Sequence, residues 1–180
     1  MMTDDGAAAA ATPEGMVAPD RDRNDEGLPE NARPRDRFGA PLPRDAADQM
    51  PDRVEPEDVC TSVAQAVQVA GGLMAEQRFF EAHEFFEWAW KGPVTDDADR
   101  PFFKGLAQMV VGYTHTQRGN ATGARTLLRR GIDQVSQFGP VLHGIDVARA
   151  AADGEAFLRE LDDHGAGPDL AFPDFPAAVS

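Results

Sequence analysis

The stretch FFEAHEFFEWAW, Phe79 to Trp90, constrains this chain more than any other. Eight of its positions are apolar or aromatic and four are ionisable, and about three helical turns hold them all. Such a mixture is costly to bury, so the helix has to sort its faces. A wheel turned by about 100° per residue puts Phe79, His83, Phe86, Glu87 and Trp90 on one side, and Glu81, Glu84 and Trp88 on the other. The apolar side then carries a histidine and a glutamate one turn apart. That is either a functional site or a buried polar pair that holds a core together.

The rest of the chain reads as helices around this one. A helix is predicted from Pro56, with Glu57 and Asp58 in its favourable first turn and Val59, Val63, Ala66, Val67, Ala70 and Leu73 as its core stripe. Lys91, Gly92 and Pro93 end the aromatic helix. After an acidic loop, Thr95 to Arg100, a third helix runs from Pro101 to Arg118. It is apolar on almost every side and therefore central, with Lys104, Gln108 and His115 as its single polar track. Gly119 and Asn120 turn the chain into a fourth helix, with Ala124, Leu127, Leu128, Ile132, Val135 and Phe138 inward and Gly139 and Pro140 as its end. A last helical region spans Asp146 to Asp163, interrupted near Gly154. No segment alternates with period two between turn signals, so no strand is predicted. Short connections favour antiparallel neighbours, and the expected fold is all-α, a compact bundle of about five antiparallel helices over residues 54–163.

Outside that domain the composition changes. Residues 1–30 have scarcely a large apolar side chain and read as a disordered acidic tail. Residues 31–53 open with NARPRDRFGAPLPR, an Arg/Pro-rich extended segment. It is either a linker or an arm lying along the acidic domain, pinned by its arginines, Phe38 and Leu42. The Pro-rich tail over 164–180 is expected to fray, although Leu170, Phe172 and Phe175 offer a means of docking.

Charge and cysteine usage exclude several functions. With 31 Asp plus Glu against 17 Lys plus Arg the net charge is −14, which repels phosphate backbones and anionic membranes. The only lysines are Lys91 and Lys104; every other basic residue is an arginine. The lone Cys60 forms no internal disulfide or thiolate cluster, and this fits a reducing cytoplasm. No apolar run approaches the roughly 20 residues that span a bilayer.

FFEAHEFFEWAWKGP followed by FFKGLAQMVVGYTHTQRGNATGARTLLRRG resembles the signature of the bacterial domain-of-unknown-function 309 family, over about Gln65 to Phe138. The arm NARPRDRFGAPLPR is similar to a segment of members from high-GC Gram-positive bacteria. The resemblance implies an all-helical domain without an established activity. It places the motif on His83, Glu84, Glu87, Trp90, Gly105, Gln108, His115, Gly119, Asn120 and Ala124. Lys104 departs from it, standing where many members carry glutamine.

The candidate polar centre is His83, Glu87, Gln108 and His115 with Lys104, walled by Trp90 and Phe86. His83 and Glu87 form an HExxE motif, and His115 is the obvious third ligand if a divalent metal binds. The zincin pattern would need a second histidine where Glu87 stands, so protease chemistry is not supported. The competing reading is a buried network in which the same side chains satisfy one another. Two histidines and a carboxylate would also serve proton transfer, but no nucleophile motif or phosphate loop accompanies them. Trp88, with Phe85 near it, marks an interface candidate for self-association or a partner. His143 and His164 fall in loops with nothing converging on them. The first functional reading is a cytoplasmic ligand-binding or protein-interaction module that needs no cofactor, its partner a protein or a small molecule. The rival is a metal-dependent or acid–base hydrolase-like enzyme using the same cluster.

Overall fold

The computed structural model describes residues 34–36, 38–39, 42–43, 45–46 and 53–178; the acidic tail expected over 1–30 lies outside them. Among the described residues the chain forms helices α1 (Pro56–Val59), α2 (Val63–Ala75), α3 (Phe79–Lys91), α4 (Arg100–Gln117) and α5 (Ala121–Val135), strands β1 (Val141–Leu142) and β2 (Ile145–Asp146), and helix α6 (Val147–His164). The bundle is all-α apart from this small hairpin. From α2 to α6 each helix packs on the next helix in sequence. None of the helices is long and apolar enough to cross a membrane.

α4 is the most buried element, as its all-round apolar sequence requires. Phe102, Phe103, Leu106, Met109, Val110 and Tyr113 are all in the core, with α3 on one flank and α5 on the other. Glycines allow α5 to come that close: a Cβ on Gly131 would lie 2.6 Å from the Gly105 carbonyl oxygen, and one on Gly112 would lie 2.6 Å from Leu128 Cγ.

Several expectations change. The helix from Pro56 is two, because Cys60 leaves helical backbone and Ser62 starts α2 afresh by accepting a hydrogen bond from the Gln65 amide. α6 is continuous through Gly154, where a side chain would strike Met109 and Ile132; that glycine marks close packing, not a break. A hairpin appears although no strand was predicted, since two-residue strands are too short to show alternation. His143 and Gly144 turn it with φ of 48° and 76°. The C-terminal tail is docked. Asp146 N donates to Pro176 O and Ala178 N to Gly144 O, while the Phe172 ring stacks within 5.1 Å of Phe79 and Phe157.

Candidate functional site

α3 and α4 pack side by side, and His83, Glu87, Lys104, Gln108 and His115 are half-buried on them instead of enclosed in a core centre. On α4, Lys104, Gln108, Val111 and His115 are half-buried and follow each other one turn apart. This is the stripe that the bundle leaves nearest to solvent. On α3 the buried face is Phe79, Ala82, Phe85, Phe86 and Ala89, so the wheel is rotated from the one expected. Glu87 falls outside the core and pairs with Lys91 at 2.7 Å.

His83, Glu87 and His115 each have a local partner. His83 Nδ1 donates to the Phe80 carbonyl, and burial lowers the pKa of its imidazole. The Asn120 amide donates to His115 Nδ1 at 3.0 Å, and burial followed by the charge of Arg118 lowers His115 in turn. Both shifts favour the neutral ring. Gln108 Oε1 is buried without a hydrogen-bond partner among the described residues. The Trp90 ring lies between the chain's two lysines, with Lys104 Nζ at 5.2 Å and Lys91 Nζ at 5.3 Å from its centroid. No group of three His, Cys, Asp or Glu among the described residues is arranged to hold a metal. His83, Glu87 and His115 thus do not assemble as the expected ligand trio, because each is turned toward a neighbour on its own stretch of chain.

Other assignments change as well. Phe85 is fully buried, which leaves Trp88 as the interface candidate. Phe86 is also in the core and borders a cavity of about 20 Å³ beneath the C-terminal tail, with Met74, Met109 and Tyr113. Glu81, expected outside, is 3% exposed and held by two hydrogen bonds from Arg78. His143, expected to stand alone, donates from Nε2 to Asp99 at 2.8 Å.

An open concavity lies between α1 and α3. Glu84, Glu87, Trp88 and Lys91 form its floor, Glu55, Pro56 and Glu57 its outer wall, and Gly92 and Pro93 its end, around a cavity of about 470 Å³. Four carboxylates thus face one lysine. The C-terminus of α3, the negative end of its dipole, borders the same cavity through Lys91 and Gly92. Glu84 shows the strain of this arrangement. Burial lifts its carboxyl to about 7, with Arg53 opposing and Glu55, Glu81 and Glu87 reinforcing the rise. The sequence contained the signal for the floor, since residues 84, 87, 88 and 91 share one helical stripe. Glu55 and Glu57 were missed because their position depends on how the chain enters α1.

Residues 67–127 match the model of a family described as Domain of unknown function (DUF309), a span from α2 into α5. This supports the family resemblance carried by the motifs of α3 and α4. No curated protein and no solved structure matches the chain.

Proposed function

We propose that this chain is a cytoplasmic binding module whose cleft between α1 and α3 receives a cationic side chain, arginine or lysine, of a protein partner. The observation that carries the reading is the composition of the cleft: Glu55, Glu57, Glu84 and Glu87 around an open cavity with Trp88 in its wall. A guanidinium there would meet carboxylates suited to paired hydrogen bonds, and the negative end of a helix. An indole face adds cation–π attraction. Each such contact contributes about 0.5–1 kcal/mol at a half-exposed site, so several together are needed for useful affinity. The lining has no hydroxyl, thiol or imidazole, which weighs against the hydrolase-like reading. One observation favours that reading: a cleft carboxyl near neutrality, Glu84, is what a general base requires.

An arginine tetrapeptide amide is the simplest probe, titrated by calorimetry at low ionic strength. Trp88→Ala and Glu84→Gln are each expected to weaken binding about threefold, or ~0.7 kcal/mol, while Asp163→Asn on α6 leaves it unchanged. Affinity should also rise between pH 6 and pH 8, because the raised Glu84 carboxyl is protonated below about 7 and negative above it. Equal binding by all three variants would show that the peptide reads only overall charge, and the cleft assignment would fall.

A further inference from the structure

Phe80 is a half-buried ring on α3. Among the described residues three guanidiniums stand over it, with Arg53, Arg118 and Arg35 Cζ at 4.6, 5.6 and 5.9 Å from its centroid. Gly39 closes over the same ring with φ of 72°, and a Cβ there would lie 2.1 Å from Phe80 Cδ2, so only glycine fits. The arginines also hold backbone. Arg118 Nε donates to Phe38 O at 2.7 Å, Arg53 Nη2 to Asp36 O at 3.0 Å, and Arg35 Nη1 to Gly39 O at 2.7 Å. Leu42 N then donates to Pro34 O at 2.7 Å and closes the loop on itself. The described residues of the arm are therefore clasped around one side chain of α3. Like charge accompanies the clasp: burial, then Arg35 and Arg53, lowers the pKa of Arg118, and only Asp36 opposes them.

The clasp and the cleft share both of their walls. Phe80 stands one turn before Glu84 and two turns before Glu87 and Trp88 on the same helical stripe. Arg53, at the other end of the arm, is two residues from Glu55, where the outer wall of the cleft begins. The short helix α1 that continues this wall contacts α3 but is only four residues long, too short to hold its own position.

We infer that the clasp on Phe80 is a strap that sets the outer wall of the cleft, so that arm seating and occupation of the cleft by a cationic group rise and fall together. The coupling to a ligand rests on the function proposed above; the positioning of Glu55 to Glu57 by the strap does not. Because coupling is reciprocal, a cation in the cleft should in turn hold the arm in place.

Hydrogen exchange read by mass spectrometry, with and without the arginine tetrapeptide amide, separates the two. Gly39→Ala lifts the arm by setting a Cβ against the Phe80 ring while leaving every bundle residue in place, and Phe80→Ala removes the pin. In both variants, without peptide, amides around Gly39 and Leu42 and those of residues 55–59 are expected to exchange at least tenfold faster than in the unaltered chain, with α4 and α5 unchanged. Peptide affinity should fall about tenfold in both. Faster exchange confined to the arm, with 55–59 unaffected, would overturn the strap whether or not the peptide binds. Faster exchange at 55–59 with undiminished affinity would overturn the coupling. Failure of the unaltered chain to bind the peptide would overturn the cleft assignment and the coupling, and 55–59 would still decide the strap.

Discussion

Arg78→Ala is expected to lower folding stability by about 3 kcal/mol in equilibrium urea unfolding at pH 7. Arg78 Nη2 and Nε donate to the Glu81 carboxylate at 2.6 and 2.9 Å, and Glu81 is 3% exposed. Without the guanidinium that carboxylate is left inside the bundle with neither its counter-charge nor its hydrogen bonds. The cost sits at the lower edge of the usual range for a broken buried pair because the Arg78 side chain is itself 35% exposed, so water partly screens the interaction. The double variant Arg78→Ala/Glu81→Gln should recover part of the loss, since it removes the charge that would otherwise stay buried. A single variant within about 0.5 kcal/mol of the unaltered chain, in the range of ordinary surface substitutions, would show that the pair contributes little.

Gly131→Ala is expected to cost about 2–3 kcal/mol by overpacking. Its new Cβ would lie 2.5 Å from Met109 Cγ, 2.6 Å from the Gly105 carbonyl oxygen and 2.8 Å from the Met109 amide nitrogen. Two of these are backbone atoms that cannot rotate away, so α4 and α5 would have to separate. Gly72→Ala supplies the contrast: it lies inside α2 with nothing within 4 Å of its Cβ direction. There the same change should stabilise by roughly 0.5–1 kcal/mol through helix propensity. Equal effects at the two sites would mean that the α4–α5 spacing does not depend on glycine.

These two changes also mark how far the sequence could be read. Periodicity, prolines and glycines placed α3 and α4 to within a residue, and the Asn120 cap placed the start of α5, because each of those signals acts within a turn or two of the chain. The end of α5 was set too late at Gly139, since the helix stops at Val135 and Phe138 lies beyond it. The same local reading took Gly154 as an interruption, whereas it is a contact with Met109 and Ile132 from other helices. It also rotated α3, since a wheel weighs hydrophobicity and cannot see that Arg78 waits to receive Glu81 on the inner side. The polar residues of the motif were identified, but their convergence was not a sequence property. His83 turns to Phe80, Glu87 to Lys91 and His115 to Asn120, all within five positions. What matters for the cleft is the return of Glu55 and Glu57 over α3, which depends on an arm whose docking on Phe80 is a tertiary event.

The central claim is that the α1–α3 cleft takes a cationic side chain, and amide chemical-shift mapping during titration with the arginine tetrapeptide amide tests it most directly. The account predicts shifts concentrated at Glu55–Glu57 and Glu84–Pro93, together with the Trp88 indole N–H. Shifts spread evenly over the acidic surface, or centred on other helices with Trp88 unmoved, would contradict it.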